Sequence, residues 1–522
     1  MKSITSLSEA IHKRTFPLQK LIWVFAALFA IAVYFLLHER TLNAHDPANY
    51  YLAIKYGFSV AAERPHAPGY PLFVLVWSWL VAAFNCDPHA AILILNGIFL
   101  FLSIGLCYNF VRRFWGSGTA IVATLLVACN PVVLYYSSVA EIYIYDLFFS
   151  LGAMYLFMSC RRKLLPLAFV LLGVAMGFRF SSVILLAPVL AVVLWSRVDK
   201  REILSLRSIG LSILGLLLGI AVWIFPFYIR TGGIESVQQA LRSAANLDST
   251  VYQNAAVYLS YLLWSVNIGV VIFLLRRKPI AAIKQKWLLV SWFVIPTMFF
   301  IFQHYAKGYI LLILPSMIIP MAYTIDAVKR KSLKRAMTAI VLGADLSLFF
   351  FMPFVVPPVE SNLPKAQRSS LERVETAFLR SLSFFAPSYS HIRVADAAIT
   401  EANVAITTYC APQSIIIVDN SAGAWAFPRS LQASHPSLAF VQGNPNDTTI
   451  VSLFSGSEVD RRYSTAKVLS ADTLYYLIDP RYAAEFGTPP EAALLVSGSR
   501  ISLYRITEKV KLPFWKYFTK IK

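Results

Sequence analysis

The chain has 522 residues, 57% of them apolar and 14% charged, where soluble proteins carry about 25% charged residues, so an ordinary water-soluble enzyme is excluded. The formal charge of +20 invites nucleic acid as a partner, but that would need basic residues interleaved over one solvated face. Instead the first 357 residues hold 30 basic and 13 acidic side chains, the basic ones in short runs between apolar stretches, which is the pattern of a polytopic membrane protein.

Lys2, Lys13, Arg14 and Lys20 precede LIWVFAALFAIAVYFLL, which predicts a first span with a cytoplasmic N-terminus; no A-x-A cleavage site follows it. Residues 39–88 then form a first external loop. Within it, PLFVLVWSWLVAAF (71–84) is too short to span and reads as a helix at the membrane interface. Spans at about 89–111, 118–137 and 142–159 follow and leave Arg112, Arg113 and Arg161–Lys163 inside. Two short helices flank GFRF (177–180), with Arg179 at the outer side. A span at 208–229 exits, the next returns to RRK at 276–278, and a ninth ends outside at QHYAK. Spans at 309–327 and 336–357 make eleven. On this assignment the cytoplasmic segments collect 23 basic residues against 7 in the external segments before the tail.

Residues 358–522 are predicted to lie outside the cytoplasm. An amphipathic helix near 365–385 precedes SIIIVDN, TLYYLID and ISLYRI, β-branched or aromatic runs bounded by turn residues, which predict strands of a small α/β domain. The expected fold is therefore an all-α polytopic membrane domain over 1–357 and a C-terminal extracytoplasmic α/β domain over 358–522. Of five cysteines, only Cys410 lies in the tail, so no disulfide framework is implied.

Ionisable residues collect on the predicted outer face. Asp46 follows the first span and precedes ANYYLAIKYGF, whose aromatics suit a helix on the membrane surface. A carboxylate near the headgroups can act as a general base, taking a proton from an acceptor hydroxyl as that oxygen attacks a sugar carbon; equally, Asp-Pro opens a helix well and Asp46 can be a cap. The run RPHAPGYP (64–71), with three prolines and a glycine, must turn, and it can fix Arg64, His66 and Tyr70 beside that base. Glu141 sits where the third span emerges and Asp146 about one turn into the fourth. Together they can orient an acceptor or hold a divalent cation. No D-x-D pair and no Cys/His zinc spacing occur, so neither a metal nor another cofactor is expected. Arg179, Lys307 and the nearby His304 can stabilise a leaving phosphate, although snorkelling to headgroups accounts for such cations too. Asp345, mid-span in the eleventh helix, either pairs with a neighbouring helix or marks a proton path. The absence of G-x-x-x-x-G-K-[ST] removes the signature of ATP-driven transport.

Five segments occur in an order that resembles the GT-C superfamily of membrane glycosyltransferases: HDPANYYLAI, RPHAPGYPLF, YYSSVAEIYIYDLFF, GVAMGFRFSS and HYAKGYILLILP. The chain looks like the protein O-mannosyltransferase and lipid A aminoarabinose transferase groups, and most closely resembles a related family with a Pro-Gly-Tyr-Pro turn. The resemblance covers roughly residues 20–325 and leaves the tail without a counterpart. It implies inverting transfer of a sugar from a polyprenyl-phosphate-linked donor to a hydroxyl acceptor on a glycan, lipid or protein, on the outer side of a membrane. A bacterial inner membrane is expected before the endoplasmic reticulum. By the resemblance, Asp46 matches the catalytic acid of the first external loop, Glu141 the second acidic position, and Lys307 the basic residue near the donor phosphate. The acid pair usual after the first span of mannosyltransferases is here Asp46 followed by Pro47. The competing expectation is a lipid-linked saccharide flippase or other secondary transporter, with Asp345 coupling protons.

Overall fold

The computed structural model describes residues 2–60, 62–66, 69–159, 164–188, 206–231, 250–275, 286–302, 307–352, 386–419, 427–444, 447–480 and 492–506, together with 375 and 378. The first helix, α1 (Lys2–Leu37), contains the expected first span at Leu18–Leu37. After α2 (His45–Tyr56) and α3 (Pro71–Phe84) comes α4 (Pro88–Trp115). Its start is set by Asp87, whose carboxylate accepts from the Ala90 N–H at 3.0 Å, and by Pro88, which spares an N–H that would lack a partner.

The span expected at 118–137 is broken into α5 (Ser117–Cys129) and α6 (Pro131–Ser138), bent by 52°. Pro131 supplies no N–H to continue the ladder. Asn130 restarts the helix by accepting from Val132 N–H (3.1 Å), while its amide donates to the Ser265 carbonyl (2.8 Å). Next come α7 (Ile144–Met158), α8 (Leu165–Phe178), a 3₁₀ turn at Phe180–Leu185, and α9 (Leu206–Thr231). A Cβ on Gly219 of α9 would lie 2.3 Å from the Val170 carbonyl of α8, so only bare backbone permits this crossing. Trp223 Nε1 locks it by donating to the Gly173 carbonyl at 2.9 Å.

The stretch expected to form the eighth span is also split, into α10 (Val251–Val266) and α11 (Gly269–Leu275). At the break Asn267 takes φ 30° and donates through its side chain to the Asp345 carboxylate. Asp345 thus pairs with a neighbouring helix. The bundle ends with α12 (Lys286–Phe302), a 3₁₀ turn at Lys307–Tyr309, α13 (Ile310–Asp326) and α14 (Lys331–Phe351). Among the described residues, three helices are long and apolar enough to cross a membrane, or four if the bent α5–α6 pair is one span; five more apolar helices are shorter. Length and composition therefore do not establish eleven spans.

The expected boundary at 357/358 lies outside the described residues, and so does the amphipathic helix near 365–385 except for 375 and 378. Beyond them α15 (Tyr389–Tyr409) leads into a mixed sheet. The three expected strands are present as β1 (Ile415–Val418), β5 (Leu474–Ile478) and β7 (Ser502–Ile506). Between them lie β2 (Ala439–Asn444), β3 (Asp447–Ser455), β4 (Glu458–Ser464) and β6 (Ala492–Ser497), and two short helices, α16 (Phe427–Ser434) and α17 (Thr465–Leu469). The order is β4-β3-β2-β1-β5-β7-β6, with β1 parallel to β2 and β5 and the other pairs antiparallel. The near-continuous apolar runs of β1 and β5 suit central strands covered on both faces, whereas the charged β4, EVDRRYS, suits an edge. One face packs Ile416, Phe440 and Leu503 against Ala402 and Ile406 of α15; the other buries Ile417, Val441 and Tyr476 with Val468 of α17.

Candidate active site

Asp46 stands in the first turn of α2. The residue that caps this helix is Ala44, in extended conformation and without a side-chain hydrogen bond. Asp46 is therefore not the cap, and its carboxylate is directed elsewhere: Oδ1 lies 3.4 Å from His66 Nδ1. The other ring nitrogen, His66 Nε2, is 3.3 Å from the Tyr70 hydroxyl. Tyr70 opens α3 with φ 45°, in the left-handed region, and this turn brings its ring edge-on to Tyr50, 5.5 Å between centroids. The sequence motif RPHAPGYP thus brings His66 and Tyr70 to Asp46, although 20 residues separate Asp46 from His66 along the chain.

Two expectations for this loop are corrected. The α2 aromatics do not simply coat a membrane surface, because Tyr50 is buried and the Ala48–Leu52 face packs on Ala433 of α16. Nor does Arg64 stand beside Asp46. Its guanidinium donates to the Tyr56 carbonyl and to Glu458 of β4, each at 3.0 Å, because the positive φ of Glu63 and the turn after it send the side chain toward the C-terminal domain.

Glu141 belongs to the non-helical link between α6 and α7, held in place by Asn96, whose amide donates to the carbonyls of Val139 (2.6 Å) and Glu141 (3.0 Å). The charges of Asp46 and Glu141 act on the same three phenols, Tyr50, Tyr70 and Tyr143, so the two carboxylates share one site. Burial, reinforced by those carboxylates, pushes Tyr50 and Tyr70 well above the usual phenol range; both stay protonated and available as donors.

Arg179 sits at the extended joint between α8 and the 3₁₀ turn. It is ion-paired with Asp146 of α7, and Ser182 Oγ donates to the same carboxylate at 3.2 Å. Asp146 is thereby engaged in an ion pair rather than standing open beside Glu141. The guanidinium also lies over the rings of Tyr143 (4.6 Å) and Tyr309 (3.9 Å), and Nη2 is buried with no hydrogen-bond partner among the described residues. The turn carrying Tyr309 reaches Tyr143 because residue 308 is glycine; a Cβ there would fall 2.0 Å from Tyr143 Cγ. Lys307 lies in that same turn, and His304 falls outside the described residues. Among the described residues no cluster of three or more His, Cys, Asp or Glu could hold a metal ion.

The C-terminal domain covers the loop that bears Asp46 and His66. Arg429 of α16 is fully buried; Nε donates to Asn49 Oδ1 (2.5 Å), Nη2 to the carbonyls of Ala62 (2.8 Å) and Glu63 (2.9 Å), and Nη1 to Gln432 Oε1 (2.6 Å). Burial pulls its guanidinium down to about 10. Gln432 in turn donates to the carbonyls of Gly456 and Glu458 in the β3–β4 hairpin. From that hairpin Arg461 reaches Glu63 at 2.5 Å, and His45 reaches the same carboxylate at 3.5 Å. Burial alone would raise the Glu63 carboxyl, but His45 and Arg461 outweigh it and hold it down at about 2. Further along, the Asp396 carboxylate of α15 accepts from the backbone N–H groups of Arg40 and Thr41.

Tyr50, Tyr143, Tyr309, Asn49 and Arg429 were not singled out by sequence reasoning. The tyrosines lie inside the segments that were, HDPANYYLAI, YYSSVAEIYIYDLFF and HYAKGYILLILP, and their density there was the available signal. Nothing local marks Arg429.

Residues 65–225 match the family model described as dolichyl-phosphate-mannose-protein mannosyltransferase. In solved structures the chain is similar to ArnT from Cupriavidus metallidurans in the apo state, at 13% identity and TM-score 0.61, over 92% of this chain and 97% of that one. The same protein bound to undecaprenyl phosphate gives 14% identity and TM-score 0.60, over 94% and 99%. The oligosaccharyltransferase of Archaeoglobus fulgidus in the apo form gives 13% and 0.49, over 89% and 70%. No curated protein matches by sequence. The ArnT likeness spans too much of the chain to stop at the bundle, so the C-terminal domain does have a structural counterpart. With its apolar helices, the chain is an integral membrane protein of the GT-C glycosyltransferase fold.

Proposed function

We propose that this GT-C-fold protein transfers a sugar from a polyprenyl-phosphate-linked donor to a hydroxyl acceptor, with inversion at the anomeric carbon and at the outer face of its membrane. The observation that carries the reading is Asp46: a carboxylate in the first turn of α2, where the helix dipole favours negative charge, that caps nothing and instead faces His66 across 3.4 Å. In the proposed reaction Asp46 accepts the proton of the acceptor hydroxyl as its oxygen bonds to the sugar carbon. The bond from that carbon to the phosphate oxygen breaks, and the polyprenyl phosphate departs as an anion. The buried phenols of Tyr50 and Tyr70 are placed to donate to sugar or acceptor oxygens. Because Arg179 is already balanced by Asp146, the developing phosphate charge calls for a second cation, the role given to Lys307. His66 and Glu141 orient the acceptor. No metal or other cofactor takes part in this scheme, and the N-terminus faces the cytoplasm of a bacterial cell, the bilayer being its inner membrane.

The match of residues 65–225 to the mannosyltransferase family model and the likeness in fold to ArnT, which is known bound to undecaprenyl phosphate, support this reading. A flippase or other secondary transporter is the second reading; the split between α10 and α11 beside Asp345 is the feature that favours it, since transporters use broken helices at depth. The test is transfer of radiolabelled mannose or aminoarabinose from undecaprenyl phosphate to extracted cell-envelope acceptors, comparing wild type with Asp46→Asn, with and without EDTA. Transfer that persists in EDTA and vanishes in Asp46→Asn is the expected result. Equal transfer by both proteins rejects Asp46 as base, loss in EDTA rejects the metal-free scheme, and movement of the lipid-linked sugar across vesicles without transfer favours the transporter.

A further inference from the structure

We infer that Arg429, from the C-terminal domain, is a positioning residue that sets Asp46 against His66 by clamping together the two stretches of loop that carry them. The inference rests on the transferase reading above. Asn49, which receives the Nε–H of Arg429, lies one helical turn beyond Asp46 on α2, and the two share a helix flank. Ala62 and Glu63, whose carbonyls receive Nη2, immediately precede the Arg64–Pro65–His66 turn. One planar group therefore bridges both sides of the Asp46–His66 contact. The bridge needs an arginine: its rigid fork donates to four oxygens, on Asn49, Ala62, Glu63 and Gln432, whereas a lysine ammonium has three donors on a flexible stem.

The clamp is itself braced. Gln432 accepts from Arg429 Nη1 and fastens α16 to the β3–β4 hairpin, and the hairpin returns to the same loop through Glu458 to Arg64 and Arg461 to Glu63. Every partner of the Arg429 guanidinium named here is a neutral oxygen. No carboxylate is among these hydrogen-bond partners, and Glu63 and Glu458 act on its charge from farther off; the contacts themselves are directional. A base displaced by about 1 Å costs about 100-fold in rate, so the domain governs turnover without touching substrate.

The experiment uses the full-length protein in lipid nanodiscs with the radiolabelled undecaprenyl-phosphate donors named above. Arg429→Ala is expected to lower kcat about 100-fold with KM for the donor within about twofold. Millimolar guanidinium restores part of the rate, and on the residual activity of Asp46→Asn the same substitution costs nothing further. Wild-type kcat in Arg429→Ala, a loss that appears in KM, or a loss that multiplies with Asp46→Asn overturns the positioning role while leaving the transferase reading standing. A wild type that transfers no sugar from either donor overturns that reading, and the positioning role with it. Should Arg429→Ala fail to insert, Arg429→Lys keeps charge and stem, loses the fork, and is held to the same kcat, KM and double-mutant outcomes.

Discussion

Arg179 and Arg429 border the same site, one from the helical bundle and one from the C-terminal domain, and they are held in different ways. Arg179 is matched to an anion, Asp146, and lies over two tyrosine rings. Arg429 is surrounded by an amide oxygen and three other neutral acceptors. In the first case charge is balanced and the pair forms a nearly neutral floor. In the second, the carboxylates of Glu63 and Glu458 act from beyond the hydrogen-bonded shell, and the direct contacts are chosen by direction. A buried cation can thus serve as an electrostatic element or as a geometric one, and the partners tell which.

That contrast can be broken by substitution. The largest effect is expected at Asp46: if it is the base proposed above, Asp46→Asn should cost about 10²–10⁴ in kcat, read as label transferred per enzyme under saturating donor, with the folded fraction unchanged. Next is the floor. Asp146→Asn leaves Arg179 buried without its anion and should cost about 3–5 kcal/mol of stability, measured by thermal unfolding in detergent; a melt like that of wild type would show that the pair is not the counterweight described here. Gly308→Ala forces Tyr143 or the 307–309 turn to move, since the new Cβ would sit 2.0 Å from Tyr143 Cγ. About 1–3 kcal/mol of destabilisation is expected from such overpacking, together with a loss of transfer.

The clamp has a pH signature of its own. Glu63 is held at about 2, below its ordinary 4.5, so its ionised form is favoured in the folded state. The stability it contributes is complete above about 4.5 and is lost as pH falls toward about 2. Limited proteolysis of the loop between these values should show release of the C-terminal domain, and Arg461→Gln should move that release to higher pH. If release is independent of pH across this window, Glu63 is not part of the attachment. The smallest effect is expected at Asp345→Asn, since an amide can still meet Asn267; transfer within about twofold of wild type fits a structural hydrogen bond, and abolished lipid movement with intact insertion would revive the transporter.

The elements that sequence made legible are those whose cause is local. Apolar length marked α1, α4 and α9, and β-branched runs marked β1, β5 and β7. The break at Asn267 was missed because its partner, the Asp345 carboxylate, lies far along the chain; the break at Asn130 had a local signal, Asn-Pro inside an apolar run, which the apolar length of the stretch masked. The site divides the same way. Asp46, His66 and Tyr70 could be named because one short loop with a proline-rich turn contains them all. Arg179 was named without Asp146 as its counterion, and Arg64 was placed on the wrong side of its own turn, since both depend on contacts across the fold. Arg429 was invisible: 380 residues separate it from Asn49, and an arginine in FPRSLQAS carries no pattern that announces burial.

The Asp396 carboxylate, which accepts the N–H groups of Arg40 and Thr41, ties the exit of the first helix to a residue made 356 positions later. At about 5–20 residues per second of synthesis, the opening of that first loop waits roughly 20–70 s for its partner. Through that interval the ribosome is still extending the chain while Asp46 and His66 lack the domain that holds them. The first loop is thus among the last segments to take its final form, and a nascent chain stalled before Asp396 would lack this tie altogether.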